Sequence, residues 1–128
     1  MNNKSSLLKV FNTHLLEFID DVISIFPDNL DLKTGKTFIE GLKKVNPKSL
    51  IQVWKSSIVN PYRNFILQGD QAFFLNKDYT NDLPTDSGKA LEILDQVRTS
   101  LKNSSIENKK KAMKYVQNLT KISELYFL

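Results

Sequence analysis

Leu7, Phe11, Leu15, Phe18, Val22 and Ile25 follow one another at gaps of 4, 4, 3, 4 and 3, the spacing of one helical face, and predict a first helix over residues 5–26. A second stripe, Leu8, Leu16, Ile19, Ile23 and Phe26, widens that face and leaves Lys9, Thr13, Glu17, Asp20, Asp21 and Ser24 for water. So broad an apolar face fits a central helix or one shared with a partner. Pro27 ends it, because the residue before a proline avoids the α region.

Phe38, Leu42 and Val45 are helically spaced and predict a second helix over 32–45, with Gly35 and Gly41 as its weak points. Asn46-Pro47 and Asn60-Pro61 read as helix starts, Asn capping and Pro taking the first position, where no backbone donor is missed. They predict a third helix over 47–59, with Ile51, Trp54 and Ile58 on its face, and a fourth over 61–68. Residues 69–87 are dominated by turn formers, and Phe73, Phe74 and Tyr79 among them are expected to pin the loop to the core. Thr85 or Asp86 then caps a fifth helix with Leu91, Leu94, Val97 and Leu101 inward. Ser104 with Glu107 three residues on is a capping box for a sixth helix, whose Ala112, Tyr115, Val116, Leu119, Ile122 and Tyr126 face inward. The apolar end, Leu125-Tyr126-Phe127-Leu128, is expected to dock. No strand pattern of useful length appears. The expectation is an all-α single domain over 1–128, an irregular bundle of five to six helices.

Composition narrows the chemistry. At 128 residues and 41% hydrophobic the chain can build a core without disulfides or metals. With no Cys, thiol catalysis and thiolate metal sites are excluded, and with His14 as the only His no nucleophile and base arrangement is visible. No cofactor, no metal and no enzymatic activity are expected. Neither an unbroken signal-peptide core nor a run long enough to span a membrane occurs, so the chain reads as soluble and not secreted.

Several fragments invite a sharper reading. Gly35-Lys36-Thr37 resembles the end of a phosphate loop, but Leu30 stands where the first Gly belongs and no strand precedes it. Asp78, Thr80, Asp82 and Asp86 have calcium-loop spacing, yet Leu83 replaces the turn Gly and Lys89 the bidentate Glu. Asp20, Asp21, Asp28 and Asp31 gather near the first connector and read either as an acidic cluster for a metal or acid/base work or, as is more usual, as solvated faces and caps. Net charge is +4, and all but Arg63 and Arg98 of the 18 basic residues are Lys. Lys109, Lys110, Lys111, Lys114 and Lys121 form the sharpest charge feature, either a merely wet helix face or a surface for an anionic partner such as nucleic acid. Trp54, Tyr62, Arg63, Phe73 and Phe74 have the composition of interface anchors, and equally that of a core.

Taken together, Phe11 with Leu15 and Phe18, Lys43-Lys44-Val45-Asn46-Pro47, Pro61-Tyr62 with Ile66, Phe73-Phe74-Leu75-Asn76-Lys77-Asp78-Tyr79 and Lys114-Tyr115-Val116-Gln117-Asn118-Leu119 resemble a group of small helical proteins of large DNA viruses that infect algae and protists. The resemblance implies a viral origin, with host cytoplasm, viral factory or virion as location, and transfers no catalytic or ligand residues. The resulting expectation is a non-enzymatic helical module that binds itself or another protein, with nucleic-acid binding through the Lys face as the alternative.

Overall fold

The computed structural model describes residues 3–70 and 88–128. Helix α1 is Lys4–Ile25, close to the range its stripes predict. Phe11, Leu15, Phe18, Ile19 and Val22 are buried, and the second stripe packs half-buried around them. Both apolar stripes are used internally: α1 is the central rod, lying against α2 (Leu30–Val45), α3 (Ser49–Trp54), α5 (Gly88–Lys102) and, along most of its length, α6 (Ile106–Tyr126). One hydrophobic cluster draws side chains from every described helix, and no strand occurs among the described residues. The fold is an all-α domain.

Asn12 departs from the polar-out reading of α1. It is buried, and its Nδ2 donates to Pro47 O at 3.0 Å, tying the α2–α3 connector to the central helix. That clamp accompanies a correction at Asn46-Pro47. Asn46 is non-helical (φ −143°, ψ 82°), Ser49 N–H closes a turn onto Asn46 O, and α3 starts only at Ser49, without a side-chain cap among the described residues.

At Asn60-Pro61 the predicted fourth helix is present with Pro61 in its first turn, but Asn60 does not cap it. α3 runs through a π-helical turn, Lys55–Val59, directly into α4, Asn60–Leu67. Asn60 has helical dihedrals, and its N–H reaches back five residues to Lys55 O. Pro61 has no N–H to give, and its ring would press on the carbonyl four residues earlier. The wider π turn lies immediately before it, and the bend falls at Tyr62 (φ −127°, ψ 15°). α4 closes in a Schellman motif: Gly69, at φ 68°, donates to Ile66 O, and Asp70 donates to Phe65 O.

The buried face of α2 is rotated from the one its spaced apolar residues mark out. In α2 the buried positions are Leu32, Gly35 and Ile39, whereas Phe38 and Val45 lie outside. In α5 the predicted Val97 and Leu101 are buried and Leu94 packs half-buried, Ala90 and Ile93 join them, and the side chain of Leu91 lies outside those described. One contact brings α2 and α5 together at Gly35. A Cβ on Gly35 would meet Ile93 Cγ2 at 2.9 Å, so the missing side chain lets α5 press its Ile93 onto the α2 backbone.

The start of α6 is shifted by one residue from the predicted box. Ser105 is the cap, its Oγ accepting from Asn108 N–H at 3.2 Å, while Ser104 Oγ donates backward to Leu101 O at the end of α5. Within α6, Thr120 and Ser123 are fully buried. Trp54 Nε1 donates to Thr120 Oγ1 at 3.2 Å, and Ser123 Oγ donates to Thr120 O. Only Tyr126 of the apolar end docks: Leu125, Phe127 and Leu128 remain exposed.

Candidate interaction surfaces

α6 spans the molecule with its core face on α1 and a basic stripe outside. At 100° per residue, Lys110, Lys114 and Lys121 fall within 40° of one another, opposite buried Ala112, Val116 and Leu119. These three and Lys111 are exposed, and Lys109 is half-exposed. Among the described residues Lys110, Lys114 and Lys121 have no ion-pair partner, whereas Lys111 Nζ lies 3.5 Å from Asp21 Oδ2.

That carboxylate anchors a polar and aromatic belt between α1 and α6. Tyr115 OH donates to Asp21 Oδ2 at 2.6 Å, and its ring stacks on Phe18 at 5.0 Å and lies 4.8 Å from His14. His14 Nδ1 is 3.5 Å from Glu17, and its Nε2 is enclosed without a hydrogen-bond partner among the described residues. Desolvation, then the bond to Asp21, pushes the Tyr115 phenol up to about 12. The neighbouring Asp20 turns away to Lys36 of α2, at 2.6 Å, and that hydrogen bond raises the Lys36 ammonium above its ordinary range. Adjacent residues on a helix diverge by 100°, so Asp20 and Asp21 serve different helix contacts, and Asp28 and Asp31 are separately exposed. The carboxylates proposed as an acidic cluster are therefore distributed, and among the described residues no three potential metal ligands converge.

The aromatic cluster is divided by depth. Trp54 is 2% exposed and sits edge-on to Phe11, so it is core, as is Tyr62 at the α4 bend. Arg63 alone of the described anchors reaches the surface, where its Nε donates to Glu124 Oε2 at 2.6 Å. Phe73 and Phe74, together with the calcium-like run from Asp78 to Asp86, lie outside the described residues.

Two apolar surfaces were not visible from spacing. One surrounds Lys121, which separates two shallow grooves: Val10, His14, Asn118 and Ile122 border the first, and Arg63, Glu124, Leu125 and Leu128 the second. Val10 and Leu125 are each 52% exposed there and Leu128 90%. The other is the outer face of α2, where Leu30 (72% exposed), Phe38 (37%) and Val45 (86%) lie in solvent. The only sequence signal for either was the surplus of large apolar residues over those one face can bury.

Fold and surfaces together define a small all-α domain with a basic stripe and two apolar outer faces. No helix among the described residues is long and apolar enough to cross a membrane. In comparison with known proteins, the chain matches no family model, no curated protein and no solved structure.

Proposed function

We propose that the protein is a non-enzymatic helical interaction module that docks an apolar, acid-bearing segment of another protein around Lys121. The observation that carries this reading is the arrangement of Val10, Ile122, Leu125 and Leu128 on both sides of an unpaired cation, next to the Arg63–Glu124 pair. Exposed large apolar side chains next to a charged rim are the anatomy of a docking patch. The viral setting implied by the resemblance makes infected-cell lysate the place to look. Immobilised protein is compared there with a Leu125→Glu, Leu128→Glu double variant, and bound proteins are identified by mass spectrometry. The expected result is a specific partner retained by the parent and reduced roughly tenfold or more on the variant, about 1.4 kcal/mol of binding, with unchanged helical circular dichroism. Identical binding profiles for the two would overturn the proposal.

A second reading follows from the free cations: Lys110, Lys114 and Lys121, with Lys109 and Lys111 beside them, could line a nucleic-acid backbone. It predicts duplex-DNA affinity that falls with salt at a log-log slope of about −0.9 per phosphate contacted. Affinity unchanged after converting the five Lys to Glu eliminates it.

A further inference from the structure

We infer that the outer face of α2 is a self-complementary seam joining two copies of this chain in antiparallel, two-fold order. The inference rests on the reading of the protein as an interaction module but uses a different surface. Leu30, Thr34, Phe38, Gly41 and Val45 recur at gaps of 4, 4, 3 and 4, a continuous stripe on one face of a helix whose Leu32, Gly35 and Ile39 are buried on the other. A second apolar stripe is not needed for the core. Among the described residues its space is open: a Cβ on Gly41 would meet nothing within 4 Å.

A second copy is the occupant because the stripe matches its own reverse. Laid antiparallel about Phe38, it sets Leu30 against Val45 of the second copy and Thr34 against Gly41, with the two Phe38 rings meeting on the axis. The small pair, Thr34 and Gly41, flanks those rings and gives them room. A two-fold interface must be self-complementary in this way, since the same patch serves both subunits. Charge selects the same direction. Asp28 and Asp31 are exposed at the start of α2, with Lys33 the one base in its first turn, whereas Lys44 and Lys48 are exposed and Lys43 half-exposed at its end. Antiparallel pairing brings the net-acidic end of one helix to the net-basic end of the other and opposes their dipoles, with Lys33 and Lys44 of the two copies meeting on one flank, while parallel pairing sets the two net-basic ends side by side. The seam is about 24 Å long, the length of a 16-residue helix, and one helix pair buries less than the roughly 1,200 Å² of a stable interface. A weak, concentration-dependent dimer is the expected state.

Sedimentation equilibrium over about 5–500 µM, the range in which weak dimers dissociate, tests this. The mass is expected to rise from 14.7 kDa toward twice that value. A Leu30→Asp, Val45→Asp variant, altered only at exposed positions, is expected to remain monomeric with unchanged helicity. Because the chain lacks Cys, direction can be read separately: a Thr34→Cys chain mixed with a Gly41→Cys chain should cross-link to the other more readily than either does to itself. A strict monomer over the whole range, a dimer indifferent to Leu30→Asp, Val45→Asp, or preferential self-linking of Thr34→Cys overturns the inference. None of these outcomes touches the Leu125 and Leu128 comparison, so the two proposals fail separately.

Discussion

Two glycines in one helix have opposite reasons for being there. Gly35 is buried with Ile93 pressed against its backbone, and Gly41 is exposed with open space where its side chain would be. Gly35→Ala gains about 1 kcal/mol of helix propensity but forces a β-branched core residue to move, and overpacking typically costs about 1–3 kcal/mol. It is expected to destabilise the domain by about 1 kcal/mol. Gly41→Ala meets no neighbour and is expected to stabilise it by about 0.5–1 kcal/mol. Urea midpoints on dilute protein check both, and equal signs would contradict the packing. A buried hydroxyl makes the second residue-scale case. Thr120→Val keeps shape but leaves Trp54 Nε1 without its acceptor, which is expected to cost about 1–3 kcal/mol. Thr120→Ser, which keeps the acceptor oxygen, should avoid most of that loss, measured by the same unfolding curves.

At the scale of elements, neighbouring serines have different tasks. Ser105 caps α6, so Ser105→Ala is expected to cost about 1 kcal/mol, as loss of an N-cap usually does. Ser104 only closes the end of α5 through Leu101 O, and Ser104→Ala should cost about half of that or less. Thermal unfolding that ranks the two the other way would restore the predicted box of Ser104 and Glu107. The Asn-Pro pairs teach a related lesson. Both satisfy the local preference for a helix start, yet the long-range bond from Asn12 holds Pro47 in a connector, and continuous packing of α3 and α4 carries the helix past Pro61 through a π turn. Local preferences of about 1 kcal/mol yield when several core side chains, here Ile51, Trp54, Val59 and Ile66, are placed by the alternative.

On the scale of the whole molecule, the α1–α6 belt couples packing to proton binding. Below pH 10, the ordinary value for tyrosine, folded and unfolded chains both keep the Tyr115 proton. Between that value and about 12 the folded chain holds a proton that the unfolded chain has lost, so rising pH favours unfolding across this window. Lys36, also raised, loses its contribution in the same direction. Tyr115→Phe is expected to flatten the alkaline fall in urea midpoint, and parallel pH curves for parent and variant would rule out Tyr115 as its source. The belt also gives the only His a packed setting beside Tyr115, which His14 by itself did not announce.

The helices, their order and the all-α class were legible along the chain, because an amphipathic period and a proline or glycine boundary are local properties. α1 is the clearest case: its two stripes fitted a central helix or one shared with a partner, and the core uses both stripes. Which face of a helix is inside was less legible where apolar residues exceed the burial available, as in α2, whose Phe38 and Val45 were marked by spacing while Leu32, Gly35 and Ile39 were the ones covered. The basic stripe on α6 could be read from the order of its lysines, but their pairing could not: Lys111 has Asp21 across the helix contact, and Lys110, Lys114 and Lys121 are left to solvent. Burial, pairing and exposed apolar faces depend on what lies across a contact from residues far away in the chain. That partner is chosen by the packing of all the helices together, and no window along the sequence contains it.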